Sequence, residues 1–277
     1  MRWHEWRWRL PRRQGRCCAQ ALTALGYLQH ALSSRSRADV ELAVYAARGR
    51  LPPAVRALLA GLGPPRAQAV HEEGTWFAAL SKQQAQEIAP GIWIDPTGRQ
   101  RLPPRAVRLH LPPLPAFGDG QHPTTRLLAR WLAASDLGGQ RVLDLGCGTG
   151  ILGLIARLRG ARRVDFADAD PHAVRACRQA CRLNGYPGAR VWRGDLLAAV
   201  PPDRSCDLLV ANLYADLVLR LLADPRLPSC TGRLWLSGIA RRAAGGVRRA
   251  LRRAGFQIVK EEDADDWWIG IAAERRA

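Results

Sequence analysis

The stretch Arg141-Val-Leu-Asp-Leu-Gly-Cys-Gly-Thr-Gly150, continuing into Ile151-Leu-Gly-Leu-Ile-Ala-Arg-Leu158, constrains the fold more than any other part of the chain. An apolar run of strand length passes into three alternate glycines and then into a segment rich in leucine, isoleucine and alanine. That order describes a strand, a tight turn and a helix. The pattern then repeats: Val164 to Ala167 reads as a strand, Pro171 to Leu183 as a helix stopped by Asn184-Gly185, and Val191 to Gly194 as a third strand. Strands alternating with helices predict an α/β unit with a parallel sheet covered on both faces. Asp207 to Ala211 and Leu234 to Leu236 are further strands. The end reads as a helix Arg241 to Ala254, capped by Gly255, and two strands, Phe256 to Lys260 and Trp267 to Ala272. The acidic turn Glu262 to Asp266 joins them, so the sheet is mixed and closes on an antiparallel hairpin.

The chain before this unit has a different grammar. Trp6, Trp8 and Leu10 alternate with Arg7 and Arg9, the period of a half-exposed strand. A helix spans Arg16 to Leu28, Asp39 to Tyr45 alternates again, and Pro52-Pro53 opens a helix that Gly61 and Gly63 close. With short strands at His30 to Ser33 and Gln68 to His71, the order is strand-helix-strand-strand-helix-strand, a split βαβ (ferredoxin-like) α+β arrangement. Then come a helix from Trp76 to Ile88, a strand Gly91 to Asp95 and a Pro/Arg-rich stretch to Pro115. The expected division is a small α+β domain at 1–75, a linker helix and connector at 76–116, and the α/β domain at 117–277.

Composition narrows the function classes. Among 277 residues the chain has 42 basic and 24 acidic side chains, a formal charge of +18. That excess suggests an anionic partner such as RNA. All the basic residues except Lys82 and Lys260 are arginine, which a GC-rich genome also produces, and residues 1–116 carry 17 basic and 7 acidic side chains, so the charge forms no tail. Seven cysteines without a Cys-x-x-Cys pattern argue against a disulfide framework, and Cys17, Cys18, Cys177 and Cys181 read as small buried residues on helices. The six histidines lack ligand spacing, so no metal site is expected. The longest uncharged run, Cys17 to Ser34, is too polar to cross a bilayer, and the arginine-rich start lacks the apolar region of a secretory signal. A cytoplasmic protein is expected.

Four segments carry the chemistry. Glycines at 146, 148 and 150 permit a tight turn and close approach of a ligand, and such a turn alone either holds a dinucleotide pyrophosphate or merely packs a helix on a strand. The spacing Asp-x-Gly-x-Gly-x-Gly differs from the dinucleotide pattern, and Asp168 follows 22 positions after Gly146, where a carboxylate can accept both ribose hydroxyls of an adenosine. Asp168 can alternatively cap the helix at Pro171, a role Asp170 fits better. Asn212, in Ala211-Asn-Leu-Tyr-Ala215, lies at a strand's carboxyl end, where open α/β sheets bind ligands. Its side-chain oxygen can accept from a substrate amine, or it can satisfy its own backbone. In Phe117-Gly-Asp-Gly-Gln-His-Pro-Thr-Thr125, helix-start amides and the Thr124 and Thr125 hydroxyls suit a carboxylate, or form a plain N-cap.

Together with Ser237-Gly-Ile239 and Asp266-Trp-Trp268, these four segments resemble the ribosomal protein L11 methyltransferase family over residues 117 to about 273. The family usually has threonine at the position of Asp119 and a first domain less rich in arginine. The resemblance implies a Rossmann-like class I methyltransferase sheet that binds S-adenosyl-L-methionine, preceded by a substrate-recognition domain. It implies cofactor contacts at Thr125, Gly146, Gly148, Asp168 and Asn212, an amine-orienting role for Asn212, and an entrance lined by Phe117 and Tyr214. The implied reaction is transfer of methyl groups to lysine or N-terminal amines of ribosomal protein L11, with the large ribosomal subunit and its RNA as partners. Two rivals stand beside it: a class I methyltransferase acting on RNA, and a non-enzymatic ribosome-binding factor of the same fold. The sequence Asn-Leu-Tyr-Ala speaks against the first, since amino-directed base methyltransferases usually carry Asn/Asp-Pro-Pro-Tyr/Phe there. The intact glycine turn with Asp168 speaks against the second.

Overall fold

The computed structural model describes residues 2–25, 30–34, 36, 38–47, 49–72, 84–111, 120 and 122–276. The chain forms two compact units, Met1–Lys82 and Gln83–Ala277, so compactness divides it inside the stretch read as a connector.

The first unit contains β1 (Arg2–Pro11), α1 (Arg12–Ala24), β2 (His30–Ser34), β3 (Asp39–Ala47), α2 (Pro53–Ala60) and β4 (Ala67–Glu72). Its sheet has the order β2-β3-β1-β4 and is antiparallel throughout. The period-2 pattern of β1 sorts its side chains as expected. Trp8 and Leu10 are buried with Leu22 of α1, Leu42 of β3, and Val55 and Leu59 of α2. The opposite face of β1 is less solvated than alternation suggests. Glu5 is only 3% exposed, its carboxylate 2.8 Å from Arg7, and Arg9 pairs with Asp39 at 2.8 Å. On α1 the cysteine reading needs correcting, because Cys18 is buried but Cys17 is exposed.

The second unit opens with a small sheet of which the sequence announced only the middle strand: β5 (Gln86–Ala89), β6 (Ile92–Asp95) and β7 (Val107–His110), in that order. The helix expected over Trp76 to Ile88 lies mainly outside the described residues, and its last part is strand β5. Pro90-Gly91, with Gly91 at φ 75°, folds β5 back on β6. Cross-strand pairing there overrides helical spacing. Ile88, Ile92, Ile94 and Leu109 from this sheet share a core with Leu127, Leu128 and Leu132 of α3 (Pro123–Ala133).

The main sheet has seven strands: β8 (Arg141–Leu145), β9 (Arg163–Asp168), β10 (Arg190–Arg193), β11 (Leu208–Asn212), β12 (Arg233–Ala240), β13 (Phe256–Asp263) and β14 (Trp268–Arg275), in the order β10-β9-β8-β11-β12-β14-β13. The first five are parallel, and β14 is antiparallel to both β12 and β13, as the mixed-sheet reading requires. Alternate residues of β8 serve two cores. Val142 packs with α3, α4 (Ile151–Leu158) and α5 (Pro171–Leu183), while Leu143 and Leu145 pack with α6 (Ala215–Leu222) and α7 (Ala244–Arg253). Helix α6 was not read from the sequence. The chain runs from β8 outward through β9 to β10, then restarts on the other side of β8 at β11. Strand order reverses there, and α/β sheets open a ligand crevice at the carboxyl ends of such strands.

Candidate active site

The turn after β8 is built for a backbone that must bend where side chains cannot fit. Gly146, Gly148 and Gly150 have φ of 72°, 53° and 81°, in the left-handed region. At Gly146 a side chain would also run into Leu213, which follows β11, so only glycine lets these two strand ends close on each other. Both the Gly146 and Cys147 amides donate to the Ala167 carbonyl, at 2.8 and 3.1 Å, tying the turn to the end of β9.

Asp168 ends β9 beside this turn, half-buried. Its Oδ2 accepts from the Gly148 amide at 2.8 Å and its Oδ1 from the Asp170 amide at 2.9 Å. Each oxygen keeps a further acceptor direction, so the carboxylate is fixed in place without being saturated. Burial raises its pKa above the ordinary carboxylate value, against these hydrogen bonds. The capping role falls to Asp170, whose side chain accepts from the His172 amide at 2.8 Å at the start of α5.

A second wall comes from the start of α3. His122 is its N-cap, and Nδ1 accepts from the Thr124 amide and lies 2.7 Å from Thr124 Oγ1. Thr124 and Thr125 are buried. Thr125 Oγ1 accepts from Asn212 Nδ2 at 3.0 Å, which holds the amide of Asn212 in one orientation and sets its Oδ1, the acceptor, on the side of Gly238. Thus two predicted residues 87 positions apart are in direct contact. Phe117, like Asp119, lies outside the described residues.

Three contributors were not singled out from the sequence as site residues. Gly238, at φ 79°, sits in the irregular stretch of β12 between Leu236 and Ile239. A Cβ there would come within 2.6 Å of the Leu213 carbonyl oxygen and 3.0 Å of Asn212 Oδ1. Trp268 lies between two other rings, His122 at 5.5 Å in a T-shaped contact and Tyr214 at 6.3 Å. His122 and Trp268 therefore extend the aromatic rim foreseen at Tyr214. Ser-Gly-Ile and Asp-Trp-Trp were visible as motifs, but it takes the β11–β12 register, Asn212 opposite Ser237, to set Gly238 beside Asn212, and the β12–β14 register, Ala240 opposite Trp268, to add the ring. Under the turn, Asp144 is buried and accepts from the Gly153 amide at 2.8 Å. Burial pushes its pKa up to about 7, helped by the neighbouring Asp168 charge.

The donor set suits a nucleoside with an amino-acid tail. A partly satisfied carboxylate faces hydroxyls, a left-handed glycine turn permits close approach, and a helix start with two threonines faces a carboxylate. No group of three or more metal-ligating side chains occurs among the described residues, and no described helix is long and apolar enough to cross a membrane.

Comparison with known proteins agrees with this geometry. The sequence model of the ribosomal protein L11 methyltransferase family matches residues 63–276. The ribosomal protein L11 methyltransferase of Azotobacter vinelandii is 40% identical over 207 residues, covering 74% of this chain and 68% of that protein. That of Pseudomonas aeruginosa is 41% identical over 208 residues, with the same coverage. Among solved structures, the ribosomal protein L11 methylase of Lactobacillus delbrueckii subsp. bulgaricus has a TM-score of 0.64 and 29% identity, covering 70% of this chain and 100% of that one. The matched region is thus about two thirds of the length of these curated relatives.

Proposed function

The chain belongs to the ribosomal protein L11 methyltransferase family, and from that premise we propose that it transfers methyl groups from S-adenosyl-L-methionine to lysine or N-terminal amines of ribosomal protein L11. The cofactor supplies an electrophilic methyl group on a sulfonium. Gly146, Gly148 and Asp168 hold its nucleoside part, and Thr125 with the start of α3 serves its amino-acid end. Residues 1–75 are the substrate-recognition part, and Phe117 and Tyr214 line the entrance.

The observation that carries this reading is the Asn212–Thr125 hydrogen bond of 3.0 Å. It presents Asn212 Oδ1 as a fixed acceptor at the carboxyl end of β11, beside the crevice. An acceptor there takes an N–H from the incoming amine and turns the nitrogen lone pair toward the methyl group. The positive charge of a nearby sulfonium disfavours a protonated amine, so the proton leaves to water and no dedicated base is needed. Positioning supplies the acceleration. Tyr214 and Trp268 give the apolar stem of a lysine an aromatic surface on which to lie. The large ribosomal subunit is the further partner in which the modified protein resides.

The test is labelled methyl transfer to purified ribosomal protein L11 and to ribosomal extract, with and without nuclease. Label is expected in the protein and should survive nuclease. Asn212→Ala should lower turnover by about 100-fold or more, the order reached when one positioned polar group is lost, with cofactor affinity little changed. Nuclease-sensitive label would move the assignment to RNA, and full turnover by the variant would remove Asn212 from its role.

A further inference from the structure

The arginines of the second unit are not spread evenly over it. Arg141, Arg163, Arg190 and Arg233 are the first residues of β8, β9, β10 and β12, so all four stand at the amino ends of parallel strands, opposite the crevice. Arg141 and Arg163 are directly opposed on neighbouring strands. The loop between α4 and β9 adds Arg159 and Arg162, and the Arg162 amide donates to the Gln140 carbonyl at 2.8 Å, next to the start of β8. Strand β14 runs antiparallel and ends at this same pole, where the Arg276 amide donates to the Gly255 carbonyl.

Part of this charge is answered internally. Arg141 pairs with Asp207 at 2.7 Å, Arg163 with Asp165 at 3.0 Å and Arg233 with Glu274 at 3.6 Å. Among the described residues, Arg159, Arg162, Arg190 and Arg276 are exposed and form no ion pair within 4.0 Å. The carboxyl-end loops carry more acid, Asp168, Asp170, Asp195, Asp216 and the stretch Glu261 to Asp266, of which Asp195, Glu261, Glu262 and Asp263 pair with Arg220, Arg248, Arg130 and Arg241, while the loops of the arginine pole add Asp136, Asp203 and Asp224. Compensation of helix dipoles accounts for only part of the pole's charge. The carboxyl ends of α3 to α7 all reach it and bring about half a negative charge each, about 2.5 in all, against the four unpaired arginines.

We propose that this arginine-rich pole is a docking face for the phosphate backbone of structured RNA. The guanidinium group is a planar fork that matches phosphate in bidentate fashion. From β10 to β14 the pole crosses five strand gaps, roughly 24 Å at about 4.8 Å each. A nucleic-acid duplex offers one charge per about 1.7 Å of axis over that distance, whereas an extended acidic peptide offers at most one per about 3.3 Å. The four unpaired arginines stand about 6 Å apart on average over that span, so a duplex meets each with phosphates in any register, whereas a peptide must place an acidic side chain opposite each. Recognition through phosphates is sequence-independent and leaves the crevice, at the other end of the sheet, open to its protein substrate. The docking face stands on the charge distribution alone and depends on the methyl-transfer reading only for what the open crevice then does.

The test measures binding of the full chain to a fluorescein-labelled RNA hairpin by anisotropy from 0.05 to 0.3 M KCl, without cofactor or protein substrate, so that an inactive enzyme does not disturb it. Replacing Arg159, Arg162 and Arg190 with glutamate should weaken binding at 0.1 M KCl at least 30-fold. It should also flatten the slope of log K against log salt by two to three, close to 0.9 per lost phosphate contact. The lysine triple should bind within threefold of the parent, and methyl transfer to purified protein substrate should be unchanged in all of these variants. The matched reversal of Arg193, Arg241 and Arg242, at the crevice end, should cost less than threefold. Equal loss in both triples would reduce the effect to net charge and overturn the proposal, as would no loss in the first. Displacement of the RNA by polyglutamate at equal charge concentration would assign the face to an acidic protein instead. If the glutamate triple does not melt cooperatively, the glutamine triple carries the same reading.

Discussion

The first unit's sheet and the glycine-turn end of the second unit's sheet hold their carboxylates by different means. On the face of the first unit's sheet opposite α1 and α2, Glu5 is answered by Arg7, Asp39 by Arg9 and Glu41 by Arg7 at 3.4 Å. In the crevice of the second unit, Asp144 and Asp168 are held by backbone amides, those of Gly153, Gly148 and Asp170. A carboxylate matched by a guanidinium has its charge cancelled and its geometry spent on the pair. One matched by single amides is fixed but keeps charge and acceptor capacity for something else. The first arrangement is structural and the second chemical, and this difference can be broken by substitution.

The largest effect is expected at Asp168. Replacing it with alanine removes the acceptors for the Gly148 and Asp170 amides and for two ligand hydroxyls, with hydrogen bonds to a charged group contributing about 1.5–3 kcal/mol each. Cofactor affinity measured by calorimetry should fall by more than about 100-fold, while the folded chain persists. An unchanged affinity would mean that amide-held carboxylates in this unit are no more chemical than the ion pairs of the other.

Asp144 sharpens the comparison through pH. Its folded-state pKa, about 7, lies above the ordinary 3.8 because of burial, so ionisation opposes folding. The penalty is absent below pH 3.8, grows between there and 7, and is full above 7. At its limit it is on the order of 4 kcal/mol, and local relaxation reduces it to roughly 2 kcal/mol. Asp144→Asn, which keeps an acceptor for the Gly153 amide, should therefore unfold at higher denaturant than the parent at pH 8 and at nearly the same denaturant at pH 4.5. Parallel pH profiles for the two proteins would place the titration elsewhere.

What could be read in advance divides along the same line. Glycine spacing, Asp168 and Asn212 were legible because a backbone turn and a strand end impose their requirements within a few residues. Trp268, His122 and Gly238 were not, since they come to the site through the β11–β12 and β12–β14 pairings and the irregularity at Gly238, and long-range register leaves no local trace. Of the β5–β6–β7 sheet only β6 was legible, because β5 lies at the end of a helical spacing and β7 is embedded among prolines and arginines. Helix α6 lacks a start signal, its N-cap Tyr214 making no side-chain capping hydrogen bond, although Val218, Leu221 and Leu222 show the helical spacing of a buried face. In the first unit the alternation of Trp8 and Leu10 was legible. The burial of Glu5 was not, because a charged residue on the second face of a strand reads as solvated until its neighbours across the sheet are known.

Glu5 supplies the smallest and most discriminating effect. It lies opposite Tyr45 on β3 and Ala69 on β4, and the Arg7 pKa is raised mainly by its hydrogen bond to Glu5. Tyr45 is shifted upward first by burial and then by the Glu5 charge. Glu5→Gln keeps the volume and an acceptor for Arg7 but removes the charge. Arg7 is 41% exposed and retains Glu41, so solvent compensates much of the loss and the cost should be about 1 kcal/mol. In a unit of this size that corresponds to a fall of roughly 4–8 °C in its melting transition. With the Glu5 charge gone, ultraviolet titration should find Tyr45 ionising at lower pH than in the parent. Cofactor affinity should not move, because no step of nucleoside binding in the crevice uses this pair. A loss of affinity in Glu5→Gln matching its loss of stability would show that the ion-paired carboxylates and the amide-held ones form a single system, and the distinction between structural and chemical charge would then fail for this chain.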